Sequence, residues 1–328
     1  MTVQRFVFVL LTGLFLRGAG VQAQQITGVG STFAAPLYQR WAQEYRAETG
    51  VEINYQPLGS GAGIKYIITR FADFGASDAP MSETDMKAGP GIVHVPTVAG
   101  PVVVAYNIPG VGPGIRLTGD VVADIFLGKI TNWDDKCITR LNPGTRFPKL
   151  AISVFHRSDS SGTTSVFTHF LDTVSPAWKT QVDAGRSVPW PVGTGAKGNK
   201  GVAVKGQTGS IGYVEIEFAI QQVIFYAAIR NLGGHFVYPD AAAQTATVAG
   251  AVLPPDLRLS LIPTTAPNGY PFVGFTYILV YATGTKPALK DFLRWALTKG
   301  QKDAAELGYV PLPPNIQKRS LSVVTALK

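Results

Sequence analysis

The chain has 328 residues, with 29 Lys+Arg against 21 Asp+Glu for a net charge of +8, and 46% of its residues are hydrophobic. That length and apolar content support a large core and more than one domain. The single cysteine, Cys137, excludes an intramolecular disulfide framework, and the lack of any basic block interleaved with aromatics excludes nucleic acid as the partner.

The first element is a leader. In "MTVQRFVFVLLTGLFLRGAGVQAQQ", Arg5 precedes a mostly apolar run from Phe6 to Leu16, and small residues follow, ending in Val-Gln-Ala. This pattern predicts a secretory signal peptide over residues 1–23, cleaved after Ala23. The apolar run is too short for a permanent bilayer span, and no later run is long enough. No cysteine lies near the cut, which argues against a lipid anchor and for a free periplasmic protein of a Gram-negative bacterium. Without Arg5 and Arg17 the mature chain holds 27 basic and 21 acidic residues, a net of +6. A field of that sign attracts small anions.

The elements that follow alternate. "APLYQRWAQEYRAETG" places Leu37, Trp41 and Tyr45 at a spacing of four, with Gly50 as the stop, and predicts a helix. "VEINYQPL" alternates as a strand does. "GSGAGIKYIITRF" passes from a Gly-rich loop into a helix, with Ile64, Ile67, Ile68 and Phe71 expected on one face. "ADFGASD" predicts a short strand ending in polar residues, and "VVVAYNI" a strand covered on both sides. "AISVFHR" predicts a further strand, leading into "SDSSGTTS" and the helical "VFTHFLDTV". The Gly/Pro-rich "NIPGVGPGI" and "TGAKGNKG" are loops. Strands alternating with helices indicate α/β architecture, and no repeat at solenoid or propeller spacing is present.

Three strand-to-helix junctions share a composition. "GVGSTFAAP", "PLGSGAG" and "RSDSSGTTS" each put Ser or Thr with Gly at a helix start. Singly, each is ordinary capping. Together they suggest helix N-termini meeting in a cleft, where unpaired N–H groups and a partial positive charge cradle an oxyanion without a metal.

The stretches "ITGVGSTFAAPLYQRW", "YQPLGSGAGIKYI", "DFGASDAP", "GKITNWDD", "SDSSGTTSVFTHFL" and "GSIGYVE" resemble the periplasmic phosphate-binding proteins of bacterial phosphate ABC transporters. The likeness runs in order through most of the chain and thins between Glu217 and Pro271. It implies a type II periplasmic-binding-protein (Venus flytrap) fold, with two α/β domains joined by hinge strands. Residues 24–98 and 273–328 would form one domain and 99–272 the other, with crossings near Val98–Val103 and Val273–Tyr277. It also implies phosphate buried between the domains and delivered to the permease subunits of an ABC transporter, by a monomer with no cofactor and no metal.

Residue by residue, the resemblance implies N–H groups from Thr32 and Phe33, with the Thr32 hydroxyl also in reach. It implies the hydroxyl and N–H of Ser60, Asp78 as the one acceptor, and Arg157 as the cation. Ser161, Gly162 and Thr163 would be helix-start donors, and Asp159 would orient Arg157 without touching the ligand. The family often has Gly at position 160 and Pro at position 34, where this chain has Ser160 and Ala34. Neither change removes an implied contact, and Ser160 adds a β-carbon to the loop that carries Ser161.

Physical chemistry explains the acceptor. Phosphate keeps a P–OH near neutrality, and sulfate has none, so a buried carboxylate selects the protonated anion. The alternative is a secreted phosphatase or other hydrolase. Against it, Leu58 occupies the first Gly position of a nucleophile elbow, and the loop of residues 193–201 lacks the Gly-Lys-Ser/Thr of a P-loop. The histidines show no ligand-pair spacing. His156 is expected to be structural and His169 packed. Trp41, Trp133, Trp190 and Trp295 are expected in the core, Trp178 half-buried, and the "PNIQKRSLSVVTALK" tail solvated.

Overall fold

The computed structural model describes residues 25–202 and 206–328; the leader expected over residues 1–23 lies outside them. The chain opens with β1 (Gln25–Gly30), α1 (Ala35–Thr49), β2 (Glu52–Gln56), α2 (Ser60–Ile68), β3 (Phe74–Ser77), α3 (Glu83–Ala88) and β4 (Ile92–Asn107). It continues through β5 (Arg116–Leu117), α4 (Gly119–Phe126), α5 (Lys136–Thr139), β6 (Ser153–Arg157), α6 (Gly162–Val174), α7 (Pro176–Gln181), β7 (Thr194–Ala196), α8 (Gly198–Gly201) and β8 (Ser210–Glu215). Then come α9 (Ile216–Gln221), β9 (Phe225–Tyr226), β10 (Ala228–Arg230), β11 (Phe236–Val237), α10 (Ala241–Ala249), β12 (Val273–Tyr281), α11 (Pro287–Ala296), α12 (Gln301–Glu306) and α13 (Pro314–Ala326).

The main sheet runs β2-β1-β3-β12-β4-β8-β6-β7, with β9 also on β4, and β11-β10-β5 form a small second sheet. β1 pairs in parallel with β2 and β3, as right-handed strand–helix–strand crossovers require. The 16-residue β4 joins the two ends. Its first part pairs with β12 up to Pro101, and from Val102 onward it pairs with β8. It is buried along almost its whole length, which explains its unbroken apolar run.

Local sequence explains the helices near the cleft. α1 begins with a proline in its first turn and ends at Gly50 in the left-handed conformation, φ 74°, as its composition dictates. Leu37, Tyr38, Trp41 and Tyr45 are buried, and Trp41 Nε1 donates to Gly300 O at 2.7 Å. α2 lies hard against the sheet, because a Cβ on Gly63 would come within 2.4 Å of Ala76 O and 2.8 Å of Val29 O.

Five expectations fail. The "TGAKGNKG" stretch, expected as a loop, forms β7 and α8. Phe71 is 78% exposed: α2 ends at Ile68 and Arg70 takes φ 57°, so the helical phase is lost before Phe71. Trp178 is fully buried, not half-buried, because Ser175 caps a new helix, α7, that turns the indole inward near Trp190. His169 is exposed on α6, with Nδ1 2.7 Å from Ser165 O. The tail is a helix with an inner face, since Ile316, Ser320 and Val324 are buried at a spacing of four and Ser320 Oγ donates to Pro96 O at 2.9 Å. Trp41, Trp133 and Trp295 are buried, and Trp190 is partly so.

His94 on β4 is buried, and its Nε2 accepts from Met81 N–H at 3.0 Å. Burial, then the nearby charge of Arg258, lowers its pKa from 6.5 to about 4, with Asp256 opposing. Between those values the unfolded chain binds more protons than the folded one, so stability rises with pH. This contribution is complete above about pH 6.5 and is lost as pH falls to about 4. It amounts to roughly 3 kcal/mol. Urea unfolding across this window should show wild type losing more stability than His94→Gln, whose amide oxygen still accepts from Met81. Equal slopes would mean that His94 titrates normally when folded.

Candidate anion site

The three Ser/Thr/Gly junctions converge. Between β1 and α1, the Ser31 hydroxyl accepts from Ala34 N–H at 3.1 Å and donates to Asp78 Oδ1. Before α2, Gly59 adopts φ 98°, and a Cβ there would lie 2.7 Å from Asp159 Oδ2. After β6, Ser161 caps α6 by accepting from Thr164 N–H at 3.2 Å. The starts of α2 and α6 touch: Gly61 N–H donates to Ser160 O at 3.0 Å and Gly162 N–H to Ser60 Oγ at 3.1 Å. Only glycine fits at that contact, since a Cβ on Gly162 would lie 2.5 Å from Asp78 Cβ and 2.6 Å from Ser60 Oγ.

Asp78 follows β3 and is 5% exposed. Oδ1 accepts from Ser31 and from Thr276 Oγ1, the latter at 2.8 Å, and Oδ2 accepts from Ser60 Oγ at 3.2 Å. Burial raises its pKa, while these hydroxyls and the charge of Arg157 oppose the rise. A carboxylate offers about four lone-pair sites, so Oδ2 retains room for one more donor.

Arg157 ends β6 and is 3% exposed. Asp159 holds it from two sides, Nε to Oδ1 at 2.7 Å and Nη2 to Oδ2 at 2.5 Å. This bidentate geometry is the strong form of such pairs. Burial would raise the Asp159 pKa, but Arg157 outweighs it and the net shift is down. Gly198 N–H donates to Asp159 at 3.0 Å, and Tyr213 OH accepts from Arg157 N–H at 3.0 Å. No ion pair joins Arg157 to Asp78 among the described residues.

The site is rich in unused donors. Among the described residues, the N–H groups of Thr32, Phe33, Ser60 and Thr163 make no intramolecular hydrogen bond, and the buried Thr163 hydroxyl has no partner. The structure thus brings Ser60, Asp78 and Gly162 into direct contact and pairs Arg157 with Asp159. Thr32 and Asp159 line one cavity of about 490 Å³. Phe33 is buried against Tyr309, whose hydroxyl donates to Phe33 O at 2.7 Å. Ser161 Oγ serves as a cap, and its own proton remains free to donate. A second cavity, about 590 Å³, is lined by Asp78 together with Ser160, His169 and Arg186. Ser31, Thr276 and Tyr213 were not foreseen as site residues. Ser31 lay beside a recognised motif, whereas Thr276 arrives from a distant strand with no local signature. His156 stacks on Trp190 at 4.7 Å, which marks it as a packed side chain. No group of three metal-ligating side chains occurs among the described residues, and no helix there is long and apolar enough to cross a membrane.

The contact between α2 and α6 yields a test. Gly162→Ala should force the two helix starts apart, at a cost of about 1–3 kcal/mol. Denaturant unfolding would measure it, and an unchanged midpoint would mean that the helix starts do not touch in solution.

A family model described as a PBP superfamily domain matches residues 17–299. The chain is 42% identical over 305 residues to a protein named phosphate-binding protein PstS from Xylella fastidiosa, covering 90% of this chain and 83% of the relative. It is 42% identical over 304 residues to one of the same name from Pasteurella multocida, covering 90% and 88%. Its fold is similar to that of a phosphate-binding protein from Stenotrophomonas maltophilia, with a TM-score of 0.72, 22% identity, and coverage of 92% and 94%. It is also similar to a putative phosphate ABC transporter substrate-binding protein from Clostridium perfringens, solved with bound phosphate. There the TM-score is 0.66 at 17% identity, with coverage of 88% of this chain and 100% of that one.

Proposed function

The chain belongs to the PstS phosphate-binding family within the PBP superfamily and has its two-domain α/β fold, and from that premise we propose that it binds inorganic phosphate in the periplasm for import. The phosphate passes to the permease subunits of an ABC transporter, and the protein acts as a monomer. It is a binding protein and not a hydrolase. The observation that carries this reading is one buried acceptor, Asp78, and one buried cation, Arg157, left unpaired with each other among unused N–H and O–H donors.

In this reading Thr32, Phe33, Ser60, Asp78, Arg157, Ser161, Gly162 and Thr163 surround the anion, and Asp159 holds Arg157. N–H groups at helix starts and the guanidinium neutralise the oxyanion. The free lone pair of Asp78 Oδ2 takes the P–OH proton. Sulfate has no such proton, so its oxygen would face a carboxylate unpaired. The lobes are residues 24–98 with 273–328, and residues 99–272. Contacts that would cross between them in the closed form include Gly61 to Ser160, Gly162 to Ser60, Arg186 Nη2 to Asp85 Oδ2 at 2.6 Å, and Arg258 Nη1 to Glu83 Oε1 at 2.8 Å.

Asp78→Asn keeps the shape, removes the charge and presents an N–H. Titration with phosphate and sulfate at one pH and ionic strength should show their affinity ratio falling by about tenfold or more. An unchanged ratio would remove Asp78 as the discriminating acceptor. Because donors from both lobes must meet the ligand, phosphate should favour the closed state. Small-angle scattering of verified phosphate-free protein should give a smaller radius of gyration once phosphate is added. Superimposable curves would count against closure.

A further inference from the structure

The "TGAKGNKG" stretch, which lacks a P-loop's pattern and forms β7 and α8, lies against Arg157. Asn199, at the first turn of α8, is 4% exposed, and its Oδ1 accepts from Arg157 Nη1 at 3.3 Å. The opposite amide orientation would set two donors face to face, so chemistry fixes the oxygen toward Arg157. Nδ2 is then left buried with no partner among the described residues. Buried polar groups are almost always hydrogen-bonded, so an unused donor here points to an acceptor that arrives from outside. The cavity of about 490 Å³ that Asn199 lines is shared with Thr32 and Asp159, and the Thr32 N–H is likewise unused.

Glu215 lines the same cavity. Its Oε1 accepts from Phe218 N–H at 2.8 Å, and its Oε2 has no partner among the described residues. Burial pushes its pKa well above the usual carboxylate range. It is the competing destination for the Asn199 amide.

We propose that Asn199 is a further residue of the anion site: its carbonyl oxygen steadies Arg157 on the side away from Asp159, and its amide N–H donates to the bound oxyanion. The inference rests on the phosphate reading above. A neutral donor at this position suits either charge state of phosphate, whereas a carboxylate there would oppose the dianion more than the monoanion.

The test titrates wild type, Asn199→Ala, Asn199→Asp and Glu215→Gln with inorganic phosphate at about pH 6 and about pH 8, on either side of the second ionisation. Thermal unfolding without phosphate checks that each variant is folded. Asn199→Ala should bind about tenfold more weakly. Asn199→Asp should bind more weakly still, with a loss that grows between the two pH values beyond any change in wild type. Glu215→Gln should keep wild-type affinity. Wild-type affinity in folded Asn199→Ala, a pH-independent loss in Asn199→Asp, or the same loss in Glu215→Gln would each overturn the assignment to the anion. Those outcomes leave the phosphate reading standing. A wild type that fails to bind phosphate would strike that reading, and this inference with it.

Discussion

Two opposite charges are buried a short way apart in this protein and kept from pairing with each other. Asp78 is satisfied by three hydroxyls, from Ser31, Ser60 and Thr276, and Arg157 by the carboxylate of Asp159. A direct Asp78–Arg157 pair would be the simpler way to bury both. It would also fill the space that the proposed function gives to the anion. Keeping them apart requires five chain segments to supply partners: the β1–α1 junction, the start of α2, the end of β3, the end of β6 with the loop after it, and β12. The sheet order that places β3, β12, β4, β8 and β6 in succession does this.

The glycines follow from the same constraint. The starts of α2 and α6 must approach closely enough for Ser60 to serve both Asp78 and Gly162. Gly61 and Gly162 leave no room for a side chain at that contact. Gly63 sets α2 down on the backbone of Val29 and Ala76. Backbone proximity, more than any side chain, places the donors.

Local chemistry made much of this legible in the sequence. The junctions at Ser31–Phe33, Ser60 and Ser161–Thr163 carried their own caps and turn residues, and the family resemblance implied that Asp159 holds Arg157. Thr276, Tyr213 and Asn199 were not legible, because each reaches the site from a distant segment through tertiary packing that no local pattern encodes. The helix errors have the same origin. Periodicity assumes an unbroken phase, which Arg70 interrupts before Phe71, and it does not say which face a neighbour covers, which misplaced Trp178 and the α13 tail. His169 was misjudged because α6 turns one face to the cleft.

The contacts at the α2 and α6 starts, and beside them between α3 and the segment after α7, are polar. Gly61, Ser160, Ser60 and Gly162 meet through hydrogen bonds, and Asp85 with Arg186 through an ion pair. Water replaces such contacts readily. Exposing apolar surface raises heat capacity and exposing polar surface lowers it. Parting these surfaces would therefore carry little of the large positive heat-capacity change that accompanies unfolding. The enthalpy of that step would be nearly flat with temperature, so the balance between parted and joined forms would follow a straight van't Hoff line, without the curvature that marks unfolding.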